Sequence, residues 1–174
     1  LHNGKLLFLK DHLQRLYDDA KAISLKIHVN KKKLTKYLIQ TVKKNKMLSD
    51  VHIRLIVSRG LKSTPYQDPS FTISKPTIVI IPEYKKPDDK LYKKGLILKT
   101  VKTIRGPKNV QDPVLNTLSK LNCILACIEA KKNNADEALM HDINGNIATN
   151  NSTHFFFIKD NKVYTSTGNY CVKG

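Results

Sequence analysis

Along the first part of the chain, apolar residues recur at the spacing of a helical turn. Leu9, Leu13, Leu16, Ala20 and Ile23 lie four and three apart, which predicts an amphipathic helix over residues 11–23 with Asp11 available as its cap. Leu34, Leu38 and Val42 predict a second helix over 31–44. The period then changes to alternation. Val51, Ile53, Leu55 and Val57 alternate with His52, Arg54, Ile56 and Ser58, the pattern of a strand with one apolar and one mixed face. A loop containing Pro65, Pro69 and Pro76 leads to a second apolar strand, Thr77 to Ile81. KKPDDK at 85–90 reads as a polar turn, and Gly95 to Thr103 as a further strand carrying Leu96, Leu98 and Val101.

The Gly, Pro and polar content of IRGPKNVQDP marks a connector, which places a domain boundary at 104–111. A helix follows over about 117–132 with Leu118, Leu121, Leu125 and Ile128 as its inner stripe. Strands at 137–141, 154–158 and 163–165 are separated by turns at Asn144-Gly145 and Asp160-Asn161. Phe155 to Phe157 reads as a strand buried on both faces. Helices then strands, followed by a helix then strands, predict two α+β units with the second cut short.

At 174 residues the chain can bury one ordinary core, or a small domain plus part of another. It holds no apolar run near the length of a membrane span, so no membrane partner is expected. It opens on Leu1, and the apolar run Leu6 to Leu9 is too short for a secretory signal, so the natural N-terminus is expected to be missing.

A net charge of +17 invites a nucleic-acid reading. Only Arg15, Arg54, Arg59 and Arg105 among the 31 basic residues are arginine, leaving 31 − 4 = 27 lysines. Base and phosphate reading favours arginine forks with interleaved aromatics, whereas runs such as Lys31 to Lys33 suit solvated helix faces, so no specific nucleic-acid partner is expected. Cys123, Cys127 and Cys171 have no zinc spacing and read as reduced thiols of a cytoplasmic protein. His141-Asp142 and His154 find no third ligand at a suitable spacing, so no metal is expected.

Residues 112–158 read DPVLNTLSKLNCILACIEAKKNNADEALMHDINGNIATNNSTHFFFI. HLQRLYDDAKAI (12–23) and HIRLIVSRG (52–60) precede this stretch, and VYTSTGNYCVKG (163–174) follows it. In this order, and over nearly the whole chain, they resemble the class IV aminotransferases, the branched-chain and D-amino acid family. The resemblance implies an α/β (α+β) fold, a two-domain fold-type IV aminotransferase with its second domain truncated. Residues 1–103 would form the smaller N-terminal domain, 104–111 the connector and 112–174 the beginning of the larger cofactor-binding domain. It also implies pyridoxal 5'-phosphate as cofactor, amino acid and 2-oxo acid substrates, and a homodimer.

Site residues follow from matching positions. Arg15 falls on the arginine that reaches the cofactor phosphate, a task suited to a permanently charged fork; by itself it better suits a surface ion pair with Asp18 or Asp19. His52 and Arg54 share one strand face and match positions beside the substrate carboxylate; the alternative is the wet face of an edge strand.

Three positions depart from the family pattern. The Schiff-base lysine position falls on Asn116, which cannot form an imine. Lys120, four residues on and at the family's tyrosine position, is one helical turn away if the helix has already begun. It is expected either as a displaced Schiff-base lysine or as a solvated helix lysine in a degenerate protein. Thr149 stands where the family sets a glutamate against the ring nitrogen, so ordinary transaminase activity is in doubt. Gly174 matches the glycine of the family's Gly-Ile-Thr phosphate turn. The expected activity is amino-group transfer with Lys120 as catalytic residue and Arg15, Lys120 and Thr149 on the cofactor. The alternative is a catalytically inactive binding or interaction module of the same fold.

Overall fold

Two helices and a strand pair build the first of two units, Leu1–Pro87. The computed structural model describes residues 1–86 and 88–172. Helix α1, Leu9–Ala22, follows Phe8, whose φ of 51° turns the chain into the helix without a side-chain cap. Asp11 lies in its first turn, so it meets the positive end of the helix dipole instead of capping it. Helix α2, Lys31–Lys44, is capped by Asn30, whose Oδ1 accepts the Lys33 N–H at 2.8 Å. Strands β1, Val51–Ser58, and β2, Thr77–Tyr84, pair antiparallel from Val51↔Tyr84 to Ser58↔Thr77.

Both helices bury the stripes that their spacing predicts. Leu13, Val29, Leu34 and Leu38 form the core of this unit, and Ile53, Leu55, Ile78 and Ile80 pack against it from the sheet. Leu34 is fully buried, which is worth about 1.5–3 kcal/mol of apolar transfer.

The second unit, Asp88–Gly174, begins with a short helix where a turn was expected. Helix α3, Asp89–Lys94, is capped by the Asp88 carboxylate on the Lys90 N–H and ends at Gly95, whose φ of 73° favours glycine. Strand β3 is shorter than expected, Leu98–Thr100, and pairs in parallel with β4, Glu137–His141. Residues 98–100 therefore fold with the second unit, and the expected connector 104–111 lies inside it; the chain divides at Pro87 and Asp88.

Helix α4, Leu121–Lys132, forms the crossover between β3 and β4, as a parallel pair requires. Strand β5, Ile147–Asn150, follows the Asn144-Gly145 turn and pairs antiparallel with β4. It carries few bulky apolar residues, so periodicity missed it. Strands β6, Phe156–Lys159, and β7, Lys162–Thr165, form a hairpin through Asp160 and Asn161, both at positive φ as a two-residue turn requires.

The predicted stripe of α4 is corrected. Ala126 and Ala130 are its buried residues, packed with Val101, Ala135, Ala138 and Met140, while Leu118, Leu121, Leu125 and Ile128 are 46–68% exposed. Small residues let the helix approach the sheet closely, and a helix apolar on nearly all sides does not announce its inner face. The expectation for Phe155 to Phe157 also fails in part: Phe156 and Phe157 are 57% and 43% exposed, with Phe157 stacked on Tyr164 at 5.0 Å. No helix among the described residues is long and apolar enough to cross a membrane.

Candidate functional site

In the first unit, alternation along β1 places His52 and Arg54 together on the exposed face. Register puts Glu83 of β2 opposite His52, and the imidazole Nδ1 lies 2.9 Å from Glu83 Oε1. That contact, with the positive charges of His52, Lys85 and Arg54, holds the Glu83 carboxyl below the usual range against the opposing effect of burial. A carboxylate therefore stands on the face expected to receive one. Sequence reading missed Glu83 because only strand register brings it to His52.

Arg15 is half-buried on α1 beside the buried Leu13, with Nη2 3.4 Å from His12 Nδ1. Asp18, one of its expected surface partners, accepts both 2.9 Å bonds from Gln14 Nε2. Arg59, which had no assigned role, donates to the carbonyls of Ile23 and Ser24 and so satisfies the C-terminal end of α1. A cleft of about 470 Å³ along α2 and β2 is lined by His28, Tyr37, Lys44, Ile78 and Ile80 among others. It includes none of the expected site residues.

In the second unit α4 starts at Leu121, later than expected, and Lys120 is its N-cap residue. The helix has not begun at Asn116, so the two residues are not stacked by a helical turn. They meet nonetheless: Lys120 Nζ donates to Asn116 Oδ1 at 3.0 Å. Thr149 is buried on β5 and its Oγ1 donates to the Thr153 carbonyl at 2.9 Å. Its neighbour Asn150 is 7% exposed; Nδ2 donates to Thr153 Oγ1 at 3.0 Å, while Oδ1 is buried without a hydrogen-bond partner. Gly174 lies outside the described residues.

Two charged groups in this unit hold places that the sequence reading did not assign. Arg105 is only 9% exposed and donates to Tyr170 O, Asn122 Oδ1, Cys123 Sγ and Pro113 O. Its one sequence signal is that it is an arginine in a chain that nearly always uses lysine. Asp142 is 8% exposed, and its Oδ1 accepts the N–H groups of Asn144 at 2.8 Å and Asn146 at 3.0 Å. Burial pushes this carboxyl up, but the Asn146 and Asn144 bonds outweigh it and the net shift is downward. Asp142 thus organises the β4–β5 turn. Among the described residues no three His, Cys, Asp or Glu side chains gather to hold a metal ion.

The structure thus brings His52 and Arg54 onto one face and Lys120 against Asn116. Arg15, His52 and Arg54 belong to Leu1–Pro87, and Lys120 and Thr149 to Asp88–Gly174.

The family model described as "Amino-transferase class IV" matches residues 1–174. A relative from Arabidopsis thaliana, branched-chain-amino-acid aminotransferase-like protein 2, is 33% identical over all of this chain, which spans 31% of that relative's length. A T.th. branched-chain amino acid aminotransferase with pyridoxamine 5'-phosphate is similar in structure with a TM-score of 0.86 and 25% identity, over 95% of this chain and 54% of that one. The branched-chain aminotransferase of the archaeon Thermoproteus uzoniensis with norvaline, at 23% identity, shares the fold with a TM-score of 0.82, over 95% of this chain and 55% of that one.

Proposed function

The chain belongs to the class IV aminotransferase family, and from that premise we propose that it serves the reversible transfer of an amino group between an amino acid and a 2-oxo acid, with pyridoxal 5'-phosphate as cofactor. Branched-chain amino acids are the proposed donors, because the similar proteins carry that substrate in their names. A cytoplasmic homodimer is the proposed working form.

The observation that carries this reading is the Lys120–Asn116 pair at the start of α4. The cofactor needs a primary amine at a fixed place, and Lys120 offers one whose Nζ is held by the amide oxygen of Asn116. It also needs an acceptor at its ring nitrogen. Thr149 has committed its hydroxyl proton to Thr153 O, so it presents lone pairs and fits as an acceptor only. Lys120 fits the group's aldehyde carbon and Thr149 its ring nitrogen, both within Asp88–Gly174; the family resemblance alone assigns its phosphate to Arg15.

When bound, the cofactor supplies an electron sink for the bond broken at the substrate Cα. Lys120 Nζ would take the proton from the substrate Cα and later give it back. Asn116 Oδ1 accepts from that amine and orients it. Thr149, being neutral, leaves the ring nitrogen less protonated than a carboxylate would, which slows transfer. Arg54 offers its fork to the substrate carboxylate. His52 is less available for that task, because its Nδ1 is already engaged by Glu83, whose carboxylate competes with the substrate's.

Incubation with pyridoxal phosphate, borohydride reduction and peptide mass spectrometry test the proposal. The expected result is an adduct concentrated on Lys120, with Thr149→Ala altering the absorbance of the bound cofactor. No adduct, or one scattered over surface lysines, would leave a fold without its chemistry.

A further inference from the structure

Arg105 carries a buried charge, and nothing in the reaction proposed above uses it. Removing a guanidinium from water is costly unless its donors are met. Here all its acceptors are neutral: Tyr170 O at 2.9 Å from Nε, Asn122 Oδ1 at 3.0 Å and Cys123 Sγ at 3.1 Å from Nη1, and Pro113 O at 3.3 Å from Nη2. Among the described residues it makes no ion pair with a carboxylate. Its position is fixed from behind, because its backbone N–H donates to His141 O at the end of β4 at 2.8 Å. Asn122 returns a bond from Nδ2 to Ile104 O at 2.8 Å.

Three of these acceptors bracket one segment. Pro113 lies just before Asn116, and Asn122 and Cys123 lie just after Lys120, in the first turn of α4. The intervening residues have little regular structure, held by local bonds such as Gln111 Nε2 to Ser119 O at 2.9 Å and Ser119 N to Thr117 Oγ1 at 3.3 Å. A short irregular loop loses the entropy of its free ends when both are tied to one rigid group. A planar guanidinium can tie them at fixed angles, which a lysine ammonium cannot.

We propose that Arg105 is a positioning residue: its guanidinium closes the loop from Pro113 to Cys123 and thereby sets where the Lys120 amine is held. The inference rests on Lys120 being the reactive amine, as proposed above. Its test therefore includes a readout independent of the cofactor.

Hydrogen exchange of the backbone amides at 115–120 is measured in the unmodified chain, in Arg105→Lys and in Asn122→Ala. Arg105→Lys keeps the charge but loses the fork. Asn122→Ala removes one acceptor and is the milder change should Arg105→Lys fail to fold. The expected result is exchange at least about tenfold faster in this segment, the effect of one lost charge-assisted bond, with little change in the β4 and β5 amides. Unchanged exchange at 115–120 in both variants overturns the proposal. The share of borohydride-trapped adduct on Lys120 relative to other lysines is then compared. A merely structural role would lower stability but leave that share unchanged, and this outcome also overturns it. Positioning predicts that the share falls several-fold in Arg105→Lys, with no rescue by the retained charge. If the unmodified chain forms no Lys120 adduct while the variants loosen the loop, the cofactor reading fails and the clamp stands.

Discussion

The two units spend their apolar residues differently. In Leu1–Pro87 both helices turn their leucines inward, so that Leu13, Leu34 and Leu38 are at most 4% exposed. In Asp88–Gly174 helix α4 turns alanines inward and leaves Leu121, Ile124, Leu125 and Ile128 46–65% exposed. The first arrangement is a helix floating on bulky side chains above a sheet. The second is a helix pressed close to β3 and β4, with its large residues pointing elsewhere. Bulk therefore holds the first unit together, and close fit holds the second.

Leu34→Ala breaks the first side of this contrast most directly. The residue is fully buried, so transfer and cavity losses combine to about 2–5 kcal/mol, read as a lower midpoint of chemical denaturation by circular dichroism. In the second unit the damaging change is enlargement. Ala126 is 0% exposed in the cluster with Met140 and Ala138, so Ala126→Leu has no room without pushing α4 off the sheet. A loss of about 1–3 kcal/mol is expected. A neutral result would mean that the helix–sheet spacing is soft and that close fit does not hold this unit.

The same contrast explains what was legible in the sequence. One-sided stripes in α1 and α2 and the alternation in β1 identify both element and inner face, because each element there has one mainly apolar side. Helix α4 is apolar nearly all round, so its existence was readable and its inward face was not. Strand β5, ATN after Ile147, owes its place to hydrogen bonds with β4 and to the turn at Asp142, and neither leaves an apolar signature. The site divides in the same way. Lys120, Asn116 and Thr149 stand out as residue types at family positions. Glu83 beside His52 depends on cross-strand register, and Arg105 on four acceptors spread from residue 113 to 170. Neither can be read along the chain.

Asp142 tests whether hydrogen bonds share the second unit's stability with close fit. Its folded pKa is depressed below the usual 3.8, so its contribution is present above that value and is lost as pH falls through the lower folded value. Asp142→Asn keeps the acceptor oxygen but not the charge. It is expected to cost about 1 kcal/mol at neutral pH, with the gap to the unmodified chain closing in thermal melts as pH falls below the usual carboxylate range. A gap that persists at the acid end would show that shape, not charge, sets the turn.

The smallest effect carries the sharpest test of the comparison. Leu121 is 65% exposed, so Leu121→Gln removes little buried surface and should shift stability by no more than about 0.5 kcal/mol, with a gain in solubility. The same holds for Ile124→Gln at 52% exposure. Contiguous exposed apolar surface of this kind is uncommon on a folded monomer. If either substitution instead costs about 2 kcal/mol or more, well beyond the usual surface range, this face of α4 is covered in the folded molecule. The two units would then differ only in what covers their helices, not in how they are held together.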